Sequence, residues 1–216
     1  MNDIFKNNEV TLSGEIISGF DYSHEMHGEK FYMFTLRTPR LSGEFDYIPV
    51  MVSERLVDVK KDYTGTFTSI VGQFRSYNRH DEDKSRLVLS VFAREINITE
   101  CEELECEELE GVQSNQVFLD GYVCKPTTYR KTPFGREITD VLLAVNRPYG
   151  KSDYIPCILW GRNAKFAGNF EVGQRVRLWG RIQSREFQKK LSESEYETRT
   201  AYEVSASKVA VVVDEN

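Results

Sequence analysis

The chain has 216 residues, 40% of them hydrophobic and 29% charged, a globular composition with room for two domains of roughly 100 residues each. No apolar run approaches the roughly 20 residues of a membrane span, and the start MNDIFKNNEV has no basic segment leading into an apolar one, so neither a membrane span nor a secretory signal is expected and a cytoplasmic protein is. The net charge of −6 is uneven: residues 1–99 carry −3, residues 100–111 carry −7 and residues 112–216 carry +4, which leaves the C-terminal half as the one suited to an anion.

Residues 10–17 alternate apolar and polar side chains with the period of two of a strand, and the same rule marks strands at 30–38 and 47–52. The His24-x-x-His27 pair between the first two has no HExxH and no cysteine near it, so it reads as a solvated hairpin rather than a metal site. A helix is expected near 54–61, then strands at 66–78 and 86–98 joined through the turn-rich His80-Asp81-Glu82-Asp83. Residues 100–111, ECEELECEELEG, hold seven acids and no base and read as an acidic linker. The second half repeats the order. A strand at 117–124 and the turn Thr132-Pro133-Phe134-Gly135 lead to strands at 136–146 and 154–160, a helix near 163–169, and strands at 174–188 and 201–213 around a longer hairpin, KKLSESEYETR. Four cysteines, at 101, 106, 124 and 157, make neither CxxC pairs nor a dense disulfide framework and are read as reduced thiols.

The halves align at a constant offset. Val10, Leu12 and Gly14 match Val117, Leu119 and Gly121 at 107 residues, Gly28 matches Gly135, Leu36 matches Leu143, and DYIPV at 46–50 matches DYIPC at 153–157. Past the expected helix the offset is 108, where Gly65, Ile70, Gly72 and Ser76 match Gly173, Leu178, Gly180 and Ser184. The chain therefore reads as a tandem duplication, with units at 1–99 and 112–216 on either side of the 100–111 linker. Five strands with one apolar face each, plus one short helix between strands three and four, fit an all-β fold of two five-stranded Greek-key barrels of the OB type. Nothing in such a core asks for a cofactor. There is no glycine-rich phosphate loop, G-x-S-x-G, metal-ligand cluster or cysteine placed beside a histidine, so no enzyme is expected.

The chemistry is densest at 153–187. Ile155, Cys157 and Leu159 share one strand face and Tyr154, Pro156, Ile158 and Trp160 the other; further on, Val176, Leu178 and Ile182 point inward while Arg175, Arg177, Trp179, Arg181 and Arg185 point outward. Arginines interleaved with rings suit phosphates and base faces together. The runs NQVFLDGYV and DYIPCILWGRNAKFAGNFEVGQRVRLWGRIQSREF resemble the bacterial single-stranded DNA-binding protein family and the related primosomal replication protein. An aromatic leads an apolar strand, Trp160-Gly161-Arg162 ends it, and a helix leads to G-x-x-V-x-L-x-G from Gly173 to Gly180, closing on Phe187.

The resemblance implies Tyr149, Tyr154, Trp160 and Phe187 as base platforms with Arg162 and Arg185 near phosphates, and Arg177 and Arg181 are expected on the same strand face. It implies single-stranded DNA as the partner, at the nucleoid, in replication, recombination or repair. In that family four barrels usually act together, so this two-barrel chain is expected to form a homodimer. The family usually ends in a long tail with an acidic tip that recruits replication enzymes, whereas this chain stops at VVVDEN straight after its last strand, so recruitment through a tail is not expected. Repeat one keeps Tyr47 and Arg55 at the places of Tyr154 and Arg162, but has Ser53 for Trp160, Ser69 for Arg177 and Gln73 for Arg181; Tyr77 and Arg79 near its hairpin retain capacity for a base and a phosphate. Repeat two is thus expected to be the main DNA-binding barrel and repeat one an accessory or pairing barrel. The competing class is a protein-interaction barrel, a primosome-like adaptor in which the same rings pack on a partner protein.

Overall fold

A computed structural model describes residues 6–81, 84–99, 114–190, 192 and 195–213; the expected acidic linker at 100–111 lies outside the described residues. The first half forms β1 (Asn8–Ile16), β2 (Asp21–Met26), β3 (Glu29–Pro39), β4 (Phe45–Ser53), β5 (Phe67–Asp81) and β6 (Lys84–Thr99). The second forms β7 (Asn115–Val123), β8 (Thr128–Lys131), β9 (Glu137–Arg147), β10 (Lys151–Trp160), α1 (Gly161–Ala167), β11 (Arg175–Lys190) and β12 (Tyr196–Val211).

The alternation seen in the sequence decides which face of each strand is buried. β1 buries Val10, Leu12 and Ile16, β10 buries Ile155, Cys157 and Leu159, and β11 buries Val176, Leu178 and Ile182. β1 pairs with β3 and β5, β3 with β4, β4 with β6 in parallel, and β6 with β5, so five long strands close on themselves. β7, β9, β10, β12 and β11 close in the same order, with β10 and β12 as the parallel pair. These are two OB-type barrels in tandem, and closure satisfies strand edges that would otherwise stay open. β2 and β8 are short outer additions to β3 and β9. The turn into β3 uses His27 (φ 53) and Gly28 (φ 75), a two-residue hairpin loop of the kind that requires positive φ at both positions.

One expectation is corrected. The helix between strands three and four exists in the second barrel as α1, but residues 54–61 of the first form successive turns. α1 opens on Gly161, whose φ of 55 favours a glycine, and the first barrel has Glu54 there. Local polar bonds then compete with the helix: the Ser53 hydroxyl accepts the Arg55 N–H at 3.1 Å and Asp58 Oδ1 accepts the Lys60 N–H at 3.1 Å.

The barrels meet through β1 and β7, which pair antiparallel with Val10 opposite Val117, Asn8 opposite Leu119 and Leu12 opposite Asn115. Val10 thus faces its own copy, and a local two-fold axis runs through that pair. Asn8 uses its amide to bond both the N–H and the carbonyl of Phe74, and Asn115 does the same to Ile182. Four hydrogen bonds obey the same two-fold.

Candidate nucleic-acid interface

The two-fold sets β4 of the first barrel against β11 of the second, and β10 of the second against β5 of the first. At one seam the Asp46 carboxylate, 1% exposed, accepts the Ser184 N–H at 2.8 Å, and the Ser184 hydroxyl accepts the Tyr47 N–H at 2.9 Å. At the other seam Asp153 accepts the Ser76 N–H at 2.8 Å, and the Ser76 hydroxyl accepts the Tyr154 N–H at 2.7 Å. The aspartate of each DYIP string is therefore a buried tie to the other barrel.

The arginines around these aspartates differ. Arg40 Nε and Arg181 Nη1 donate to Asp46 at 2.9 and 2.6 Å, and Arg40 also reaches the Ser184 carbonyl at 3.1 Å. Arg147 Nε stands 3.3 Å from Asp153 Oδ2, but neither atom finds a partner in hydrogen-bonding geometry among the described residues. Arg75 lies 4.2 Å over the Phe92 ring and donates to Gln73 at 2.8 Å, while its Nε–H has no acceptor among the described residues. Burial, reinforced by the like charges of Arg94 and Arg147, pushes the Arg75 guanidinium down to about 10 against the pull of Asp153. Burial also raises the Asp153 carboxyl, outweighing the Ser76 N–H and the nearby arginines.

Each seam opens into a cleft. The first, of about 250 Å³, has Ser76, Tyr77, Asn78 and Leu87 of the first barrel facing Arg147, Ser152 and Tyr154 of the second. The second, of about 300 Å³, has Arg40, Glu44, Phe45 and Tyr47 of the first barrel facing Ser184, Glu186, Thr200 and Tyr202 of the second.

Of the residues singled out in the sequence, Tyr77 and Tyr154 come together in the first cleft and Tyr47 lines the second. Tyr47 and Tyr154 are matched in exposure, 45% and 46%. Tyr149 stands fully exposed on the single 3-10 turn between β9 and β10, at φ 65. Phe187 is exposed on the β11–β12 hairpin beneath the Arg185 guanidinium, 5.8 Å from its ring, and Arg185 is 3.9 Å from Glu203. Arg162 is exposed on α1, and Arg55 lies 3.4 Å from Glu29. Arg79 sits on β5 opposite Arg86, its side chain outside the described residues. Three others have internal partners. Trp160 is half-buried with its indole N–H on Ser205 Oγ at 3.1 Å, Arg177 donates to Asp120 at 2.9 Å, and Arg181 belongs to the Asp46 seam.

The contrast between Arg181 and Gln73 also changes meaning. Repeat two carries Arg181 and Gln183, and repeat one carries Gln73 and Arg75; in each the arginine bonds the glutamine two residues away. The first barrel has not lost the arginine but moved it by one step along the same strand face. The residues that sequence reasoning missed are the seam polar groups: Asn8, Asn115, Asp46, Asp153, Ser76 and Ser184. Their signal was available, since each is the same polar residue in both repeats.

Residues 114–212 match the family model described as the Single-strand binding protein family. Single-stranded DNA-binding protein 1 of Streptococcus pyogenes is 30% identical over 96 residues, which are 41% of this chain and 74% of that protein. The chain belongs to the single-strand binding protein family. Another family member, the single-stranded DNA-binding protein of Oceanobacillus iheyensis, is 35% identical over 81 residues, 34% of this chain, and the match spans half of its length. The family model falls on the second barrel. The similarity in fold takes in both: a deletion mutant of the single-stranded DNA binding protein from Thermus aquaticus superposes with a TM-score of 0.73 at 19% identity, over 97% of this chain and 96% of that one. No helix among the described residues is long and apolar enough to cross a membrane.

Proposed function

We propose that the chain is a non-catalytic binder of single-stranded DNA. It takes the strand without strong sequence preference, by aromatic stacking and Arg/Lys contacts to phosphate, and protects or organises it in the cytoplasm, at the nucleoid, during replication, recombination or repair. The observation that carries this reading is an exposed tyrosine at the same point of the third strand of each barrel, Tyr47 and Tyr154, in a cleft edged by an arginine. Stacking on such rings is worth about 1–3 kcal/mol per base and tolerates every base. Tyr149, Tyr77 and Phe187 extend the platform, and Arg162, Arg185 and Arg55 are the exposed cations along it; Arg79 is kept in this set on its place near the first hairpin. Relatives named as single-stranded DNA-binding proteins support the choice of ligand.

The partner state proposed with it is a homodimer of four barrels. The outer face of β5, β1, β7 and β11 carries Val71, 45% exposed, with the Phe118 and Trp179 rings 5.2 Å apart, and a second copy would cover that strip. The same strip suits the competing adaptor reading, in which a different protein covers it. Titrating labelled oligo-dT at two salt concentrations, with the mass of the complex read by light scattering, tests both parts. The expected result is binding whose log-log salt slope is about −0.7 per phosphate neutralised, on a particle of twice the 25.0 kDa chain. Absence of binding at low salt and micromolar protein would sink the DNA reading and leave the adaptor.

A further inference from the structure

The two clefts are copies in position and opposites in charge. Arg40 corresponds to Arg147, Tyr47 to Tyr154 and Ser184 to Ser76. The cleft at Tyr47 includes the carboxylates of Glu44 and Glu186, and its Arg40 is held by Asp46 and the Ser184 carbonyl. The cleft at Tyr154 is lined by no carboxylate among the described residues; Asp153 lies behind it, 1% exposed. Beside it stand Arg75, Arg94 and Arg147 with that one aspartate as the carboxylate acting on Arg75, and among the described residues the Nε–H groups of Arg75 and Arg147 have no acceptor in bonding geometry, Arg147 Nε lying 3.3 Å from Asp153. The surplus of positive charge is local and partly desolvated, which makes it stronger toward an anion than a surface lysine would be. Tyr77 and Tyr154 are each more than 40% exposed, and Asn78 offers both a donor and an acceptor to a base edge of any identity. The turn that joins Arg147 to Ser152 also presents Tyr149 at the rim, where the first barrel has Ser42.

We propose that the cleft between Tyr77 and Tyr154 is a nucleotide subsite assembled from both barrels, holding one base of the single strand between its tyrosines and the adjoining phosphate at Arg147. Its copy around Tyr47 is disfavoured for phosphate by Glu44 and Glu186. This rests on the single-strand reading and deepens it: the principal subsite belongs to neither barrel alone, the first giving Tyr77 and Asn78 through its hairpin and the second giving Tyr154 and Arg147.

The test uses the full chain and oligo-dT. Tyr77→Ala and Tyr154→Ala are each expected to weaken binding about tenfold, the loss of one stack. The double substitution should lose clearly less than the product of the two, because both rings hold the same base. Tyr47→Ala should lose much less than Tyr77→Ala, and Glu44→Gln with Glu186→Gln should bind more tightly than the wild type. If the wild type binds and Tyr77→Ala costs nothing, or costs only what Tyr47→Ala costs, or the Tyr77 and Tyr154 losses simply multiply, the composite subsite is wrong while the single-strand reading stands. If the wild type does not bind at low salt, both fall.

Discussion

Asp120, on the outer face of β7, is pulled two ways. Burial disfavours its charged form, but hydrogen bonds from Arg175 and Arg177 at 2.8 and 2.9 Å win and hold its carboxyl below the usual carboxylate range. A depressed folded value means that the stabilisation is fully present above the unfolded pKa of about 3.9 and is lost as pH falls through the folded value. Asp120→Asn should therefore be less stable than the wild type in urea unfolding at pH 7, and the difference should shrink as pH falls below the unfolded value and through the lower folded one. A pH-independent difference would mean that the side chain acts by packing alone. Arg177 thereby has a structural duty on β11 that its outward position does not disclose.

Glycines mark where strands come closest. At Gly72 and Gly180 the register of the fourth strand against the fifth shifts by one residue in each barrel, between Val71 and Gly72 and between Trp179 and Gly180. A Cβ on Gly180 would stand 2.2 Å from the Ser205 carbonyl oxygen, and one on Gly72 2.4 Å from that of Phe92, both backbone atoms that cannot swing aside. Gly180→Ala is expected to cost about 1–3 kcal/mol by denaturation midpoint, the range for overpacking, whereas Gly19→Ala, with nothing within 4 Å, should change stability little. The match of these glycines was readable because both repeats carry it at one offset, although the backbone each makes room for lies on the neighbouring strand. So was the inward parity of β10 and β11, since alternation needs no knowledge of the partner strand. Residues 54–61 were expected to be helical but form turns; the first barrel has Glu54 where α1 opens on Gly161 at φ 55. The internal partner of Arg181 was not legible for a different reason. The acid that engages Arg181 lies 135 residues away in sequence, and only the pairing of β1 with β7 brings Asp46 to it.

The two barrels are joined more firmly than a linker would require. Asp46 binds Arg40 of its own barrel and, across the seam, the Arg181 guanidinium and the Ser184 N–H, so Asp46→Ala would leave Arg40 and Arg181 without their counter-charge and Ser184 without its acceptor. Removing one partner of a buried ion pair costs about 3–5 kcal/mol. Both tryptophans, Trp160 and Trp179, belong to the second barrel, so their fluorescence follows that barrel while far-UV circular dichroism follows both. In the wild type the two unfolding curves should coincide; in Asp46→Ala they should fall to lower denaturant and separate. Coincident, unshifted curves would show the seam to be energetically idle.

The two-fold through Val10 and Val117 bears on direction. A single strand runs 5′ to 3′, and two identical surfaces related by a two-fold look the same from either end, so they would admit the strand equally in both senses. A chain that duplicated its barrel and then let Tyr149, Glu44 and Glu186 diverge has two unlike ends, and a strand lying across it meets them in a fixed order. Under the proposed single-strand reading, divergence between the copies would let the molecule tell the two senses of the strand apart, which a symmetric pair of single barrels could not do.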